Sequence, residues 1–399
     1  MPTSLKARAL GTALAMGTLA ASGAAVAQTK INLINTGGVG PGTQAERGFR
    51  AAAAYWESVL TNKATLNINV SFRPLGPNIL GGARSTLFAP LAISDYQALL
   101  FGAGRTQLDA IALANLSPLS DTGSISVIVP DYLDPAAMSG VATSGSRIAP
   151  DGTGISSTMA VSSSNLKAIF SDFDDVFGSN VVDADIAFSN EFDFDFDPRN
   201  GIDQNSFDFI GVAIHEIGHA LGFLSAAEDF DFFAANPDEL TFDVDDEWWG
   251  YAADMFRYSG EGDLDWTFGT DSYFSIDGGA TALFGAEFST GSEFGNGWQA
   301  SHWRPPVGEG CDGFIGIMNP YICNGQADDV TASDLALLDA IGWNPNVNVL
   351  ANPGYRFTTA AAFGLVPEPA SWAMMIAGVG MVGGALRSTR RRKVTFATA

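Results

Sequence analysis

The stretch His215-Glu216-Ile217-Gly218-His219-Ala220-Leu221-Gly222-Phe223 contains two of the three histidines in this chain of 399 residues. On an α-helix, positions four apart lie on one face, so the imidazoles of His215 and His219 can bind one metal ion. Glu216 then faces the remaining coordination position, where a carboxylate can accept a proton from water. The motif and its apolar neighbours predict a buried, metal-binding helix (Ile210, Val212, Ala213, Ile214 and Ile217).

The helix supplies only two ligands, and a catalytic zinc site needs three protein ligands plus water. The position three residues after Gly222 holds Ser225, which is a poor zinc ligand. His302 is the only histidine left, and it is the preferred third ligand. The alternative is a site with two histidines and one carboxylate from just beyond the helix (Glu228, Asp229, Asp231, Glu239 or Asp243).

Met318 lies sixteen residues after His302, in the turn sequence Gly316-Ile317-Met318-Asn319-Pro320. The helix motif, the long insertion 224–300, His302 and this turn together resemble the leishmanolysin-like branch of the metzincin zinc proteases. The resemblance covers roughly Ile31 to Trp343, and its motifs are specific only from Phe209 onward.

This resemblance implies that His215, His219 and His302 bind zinc, that Glu216 is the general base and that Met318 forms a Met-turn. It also implies an α+β, metzincin-like zincin fold. An upper lobe of mixed sheet and helices would carry the active-site helix, and a lower irregular lobe would carry the insertion. The implied activity is zinc-dependent hydrolysis of peptide bonds in protein or peptide substrates.

Two further expectations concern the insertion and the role of the metal. The aromatic content of residues 224–300 predicts a packed subdomain that borders the cleft. The alternative function is a cell-surface or biofilm-matrix binding protein whose metal is structural. Glu216 argues against this alternative, because a structural site gains nothing from a carboxylate beside an open position.

Both ends of the chain predict export. Residues 1–27 combine a basic start, an alanine-rich apolar run and Ala25-Val26-Ala27, as in a secretory signal peptide. Residues 366–399 contain Val366-Pro367-Glu368-Pro369, an apolar run from Ala370 to Leu386 long enough for a transmembrane helix, and a basic tail. This end resembles the PEP-CTERM sorting signal of Gram-negative bacteria.

That second resemblance implies transient association with the inner membrane, cleavage by an exosortase-type enzyme, and release to the cell surface or the medium. A plain single-pass anchor is the alternative. The domain organisation that we predict is therefore a signal peptide at 1–27, a metalloprotease domain at 28–344, a linker at 345–365 and the sorting signal at 366–399.

Cys311 and Cys323 bracket Met318, and in an exported protein this spacing predicts a disulfide, with two free thiols as the alternative. The formal net charge of −24 disfavours binding to nucleic acid and favours divalent cations.

Phe192 to Asp197 alternate aromatic and acidic residues, which predicts a strand. The resemblance to the metzincins implies that the strand before the zinc helix forms an edge of the cleft and can pair with an extended substrate. The acidic segment 193–208 is also a candidate calcium site, with a solvated acidic face as the alternative (Asp193, Asp195, Asp197, Asn200, Asp203 and Asp208).

Overall fold

The computed structural model describes residues 28–77, 79–308 and 310–366. The strands are β1 Lys30–Gly37, β2 Thr65–Phe72, β3 Gly81–Ser85, β4 Leu87–Ala92, β5 Ile128–Pro130, β6 Ser146–Ile148, β7 Thr158–Ser162, β8 Ala184–Phe188, β9 Phe194–Asp195, β10 Phe207–Asp208, β11 Arg257–Gly260, β12 Asp263–Leu264, β13 Tyr273–Phe274, β14 Asp329–Thr331 and β15 Arg356–Thr358. The helices are α1 Gln44–Val59, α2 Ile93–Ala103, α3 Gln107–Ala114, α4 Gly154–Ser157, α5 Ser163–Ile169, α6 Phe173–Phe177, α7 Phe209–Ala220, α8 Ala226–Ala235, α9 Ala332–Ala340 and α10 Thr359–Phe363.

A mixed four-stranded sheet has the order β1-β2-β8-β3. The first three strands are parallel, and β3 is antiparallel to β8 at the edge. Alternation along β2 buries Leu66, Ile68 and Val70, because the side chains of a strand point to opposite faces in turn. This sheet therefore has an apolar face on which helices can pack.

Helix α1 positions helix α7, which carries the histidine motif. The hydroxyl of Thr43 caps α1 by accepting a hydrogen bond from the Glu46 amide at 3.1 Å. A Cβ at Gly48 would lie 2.2 Å from a ring carbon of Phe209, so the glycine lets the two helices approach closely. The indole nitrogen of Trp56 donates to the Ile214 carbonyl at 3.1 Å, one residue before the motif.

The insertion is packed, as its aromatic residues predict. It contains α8 and a three-stranded sheet in the order β12-β11-β13. Its residues Trp266 and Phe274 are fully buried. A subdomain of this kind can hold the end of the insertion in a fixed place.

The prediction of a linker at 345–365 is wrong. Strand β15 pairs with β14, and α10 packs against α1 and α7. The ring of Phe357 lies 4.4 Å from that of Tyr55, and Phe363 is buried. The segment carries enough apolar side chains to close the core of the domain, which its position before the sorting signal does not reveal.

The prediction that residues 192–197 form a strand at the edge of the cleft is also wrong. Strand β9 is two residues long and pairs with β10, so it does not form the edge of the main sheet. Its Phe194 packs on Phe209 and Phe188 because the aromatic residues of the segment close the core. The edge strand that lines the cleft is β3.

Among the described residues, no helix is long and apolar enough to cross a membrane. The predicted signal peptide at 1–27 and the predicted transmembrane helix from Ala370 to Leu386 lie outside them.

Candidate metal centre and cleft

Helix α7 presents both histidines of the motif from one rigid element. Asp208 caps its start, because one carboxylate oxygen accepts from the amides of Ile210 and Gly211, each at 3.0 Å. The helix ends at Ala220, and Gly222 then adopts a φ of 115°, a left-handed value that glycine tolerates. The chain turns there and leaves the helix axis.

The structure brings His302 to the two helix histidines. The Nε2 atoms of His215 and His219 are 3.1 Å apart, those of His219 and His302 are 3.2 Å apart, and those of His302 and His215 are 3.3 Å apart. The three nitrogens therefore form a nearly equilateral triangle.

The other nitrogen of each ring contacts a backbone carbonyl. His215 Nδ1 lies 2.7 Å from the Ile317 oxygen, His219 Nδ1 lies 2.8 Å from that of Phe223, and His302 Nδ1 lies 3.3 Å from that of Gln299. Each Nδ1 must carry a proton to donate, so each Nε2 directs a lone pair into the triangle. Lone pairs this close repel one another unless a cation lies between them.

Protonation cannot supply that cation. Burial lowers the pKa of His215 to about 4 and, together with the neighbouring His215, lowers the pKa of His219 to about 3. Burial and the two other histidines also lower the pKa of His302. All three imidazoles are neutral at neutral pH, which is the form that binds metals.

The residues present fit a zinc ion. Nitrogens in three tetrahedral positions about 2.0–2.1 Å from zinc lie about 3.3 Å from one another. The observed separations of 3.1 to 3.3 Å match this requirement.

The alternative carboxylate ligands lie outside this group. Within the part of the chain that the structure describes, only His215, His219 and His302 bring three potential ligand atoms within 4.8 Å of one another. Asp231 accepts from the amides of Glu293 and Phe294, and Asp229 accepts from the Tyr251 hydroxyl at 2.6 Å. Glu228 accepts from the Gln299 side chain, while Glu239 and Asp243 are exposed.

Ser225 helps to hold the segment that contains His302 close to helix α7. Its hydroxyl caps α8, and its amide donates to the hydroxyl of Ser301 at 3.1 Å. The two ends of the insertion are joined by this bond, one residue before His302.

Met318 packs beneath the motif helix. A Cβ at Gly218 would lie 2.4 Å from the Met318 sulfur, so only glycine leaves room for it. The predicted disulfide between Cys311 and Cys323 is confirmed, and it closes the loop that contains Met318.

Asp334 in α9 connects the segments that carry the histidines. Its carboxylate accepts from the Ile317 amide at 3.0 Å, the Met318 amide at 3.3 Å and the Trp303 indole at 2.9 Å. Ile317 contacts the His215 ring, and Trp303 follows His302. One buried side chain thus supports the surroundings of two histidines, a role that the sequence does not reveal.

Glu216 lies beside the histidines but outside the group of ligand atoms. Burial raises the pKa of its carboxyl to about 8, and a contact with the Ala83 amide of β3 opposes this rise. A cation in the triangle would lower this pKa, because it favours the charged form. Glu216 is therefore a candidate to exchange a proton with water at this site.

A cleft of about 1370 Å³ opens over Glu216 and the histidines. Strand β3 lines one side, and residues of the insertion, including Tyr251 and Trp298, line another. Most of its charged lining side chains are acidic (Asp185, Glu216, Glu228, Asp229 and Asp328, with Arg84). Sequence reasoning missed β3 and Tyr251, since neither carries a motif.

The acidic segment 193–208 uses its carboxylates for local contacts. Asp195 accepts from the amides of Asp197 and Asp203 at 2.8 and 2.9 Å. Asp197 pairs with Arg199 at 2.7 Å. Calcium binding here stays a prediction.

Comparison with known proteins identifies the end of the chain. Residues 365–392 match the PEP-CTERM protein-sorting motif. Searches of curated proteins and of solved structures found no significant match. The chain is therefore an exported protein with a PEP-CTERM sorting signal, which implies processing by an exosortase-type enzyme.

Proposed function

We propose that this protein is an exported zinc endopeptidase with a metzincin-like fold of the leishmanolysin-like branch. The observation that carries the proposal is the triangle of three Nε2 atoms, each with its Nδ1 at a backbone carbonyl, next to Glu216 in an open cleft. His215, His219 and His302 would hold the ion. Bound zinc would supply Lewis acidity, which polarises a carbonyl and lowers the pKa of water.

The chain's own residues provide the rest of the chemistry. Glu216 takes a proton from the attacking water and passes it to the amine that leaves when the peptide bond breaks. Strand β3 borders the cleft as the last strand of its sheet, so its backbone can pair with an extended peptide. This arrangement supports a peptide substrate.

The alternative is a binding protein with a structural metal. Structural zinc sites are closed by four protein ligands, whereas the described residues offer three. The position of Glu216 at the cleft also favours catalysis.

An unbiased peptide mixture tests the proposal. Zinc-loaded wild-type protein should cleave it, and Glu216→Gln should keep the zinc but lose activity by about 100-fold or more, as expected for a missing general base. Zinc content is measured on both proteins. Equal cleavage by both, or no cleavage by the zinc-loaded wild type, would contradict the proposal.

A further inference from the structure

Arg257, the first residue of β11, is a buried cation inside the insertion. Its side chain is 1% exposed, and its guanidinium carbon lies 5.0 Å from the centre of the Phe288 ring. No carboxylate among the described residues forms an ion pair with it within 4.0 Å, although Asp254 and Asp265 are close enough to stabilise its charge. Its Nε and Nη1 have no hydrogen-bond partner in the described residues.

Burial lowers the pKa of Arg257 to about 10, so the side chain is still charged at neutral pH. A buried charge without an ion pair costs free energy, and replacing whole buried ion pairs by apolar residues is often neutral or stabilising. The role of Arg257 therefore depends on the residues that its side chain contacts.

Arg257 holds Ser289. Its Nη2 donates to the Ser289 carbonyl at 2.9 Å. Ser289 is fully buried, and its amide donates to the His302 carbonyl at 2.9 Å. Its hydroxyl donates to the carbonyl of Trp303 at 3.0 Å.

The neighbouring residues extend this pairing. Phe288 and Trp303 form an antiparallel bridge, and the Arg304 amide donates to the Glu287 carbonyl at 2.8 Å. Residues 287–289 thus lie along residues 302–304 and fix their backbone. Ser289 therefore connects Arg257 to His302 through one hydrogen bond to each residue.

We propose that Arg257 is a positioning residue for the metal centre, acting through Ser289 on the backbone of His302. The inference rests on the proposed zinc site. His302 lies 83 residues beyond His219, so the helix alone cannot set its distance from the other histidines. Within the insertion, the buried hydrogen bond from Arg257 to Ser289 helps to fix the position of His302.

The test compares the purified full chain, Arg257→Met and Arg257→Lys. Arg257→Met should weaken zinc binding by about 10-fold, the lower end of the effect of residues that orient metal ligands. It should also shift the visible absorption of the Co²⁺-loaded protein, and leave metal-free stability unchanged or higher. Arg257→Lys keeps a donor for Ser289 and should restore much of the affinity.

Zinc affinity is measured by competition with a chromophoric chelator, and stability by urea unfolding without metal. Arg147→Met is the matched control, because Arg147 pairs with Asp245 and does not line the cleft. Its zinc affinity should equal that of the wild type.

Unchanged zinc affinity in Arg257→Met overturns the inference, as does a fall in metal-free stability that accounts for the weaker binding. If Arg257→Met does not fold, Arg257→Gln decides, because its shorter side chain loses the bond to the Ser289 carbonyl but stays polar. Wild-type stability with weaker zinc binding in Arg257→Gln supports the inference, and an unchanged affinity overturns it. A wild type that binds no zinc overturns the proposed function itself, so the two failures are distinguishable.

Discussion

Gly218 leaves room in helix α7 for the side chain of Met318. Alanine favours a helix by about 1 kcal/mol over glycine, so Gly218→Ala would stabilise an exposed helix. Here the added Cβ would lie 2.4 Å from the Met318 sulfur and 3.2 Å from its methyl carbon. Steric overlap of this kind typically costs about 1–3 kcal/mol, so it should exceed the gain in helix propensity.

We therefore expect Gly218→Ala to lower the free energy of unfolding by about 1 kcal/mol and to weaken zinc binding. Urea unfolding measures the first effect, and a double-mutant cycle with Met318→Ala isolates the contact. Gly218→Ala should be neutral or stabilising once Met318 is shortened. Equal destabilisation in both backgrounds would show that Met318 is not the cause.

Asp334 gives a second prediction at this scale. Asp334→Asn keeps one acceptor oxygen for contacts that occupy both carboxylate oxygens, so at least one buried donor loses its partner. Each such loss costs about 1–3 kcal/mol. Zinc affinity should fall as well, because Ile317 contacts the ring of His215.

Asp329→Asn is the control, since Asp329 forms a surface ion pair with Arg356 and such pairs contribute little. Thermal unfolding and zinc titration of both variants check the prediction. An Asp334→Asn variant as stable as Asp329→Asn would show that the carboxylate does not support the turn.

Among the helices and strands, the sequence predicts those that contain a local motif or a regular spacing of apolar residues. Helix α7 has a motif and continuous apolar flanks, and β2 alternates apolar and polar residues. Strand β3 has no such pattern, because Gly81-Gly82-Ala83-Arg84-Ser85 pairs with β8 on one side and lines the cleft on the other. An edge strand of this kind is specified by its neighbours.

For His302 too, the sequence predicts the residue type but not its position in the fold. Scarcity of histidine points to His302, but the sequence does not contain the distance that separates it from the helix. That distance depends on pairing between residues 287–289 and 302–304, which are short, irregular segments. The carboxylates after the helix have the right chemistry for zinc, yet their hydrogen bonds hold the insertion.

The whole molecule is acidic, with a formal net charge of −24, and it buries several carboxyls. Burial raises the pKa of Asp208 to about 6, of Asp229 and Asp328 to about 7, and of Asp339 to about 8. A carboxyl whose pKa is raised by folding stabilises the protein fully below its unfolded pKa. That contribution is lost as the pH rises through the folded value. These groups should therefore lower stability between pH 4 and about 8.

Asp339→Asn tests this effect because Asp339 is buried and has the highest of these values. Relative to the wild type, the variant should gain stability as the pH rises from 4 to 8, by at most about 1.4 kcal/mol per pH unit, and no further above that. Urea unfolding in a chelator at several pH values measures the difference. Asp238→Asn, at an exposed position, is the control. A constant difference across this range would mean that Asp339 does not titrate as described.

The central claim is that His302, from beyond the insertion, completes one zinc site with the two helix histidines. Zinc-edge X-ray absorption of the wild type and of His302→Ala tests it most directly. The wild type should contain one zinc with three imidazole nitrogens at about 2.0–2.1 Å, and the variant should lose either one imidazole or the zinc. Identical spectra from the two proteins, with zinc retained, would contradict the claim.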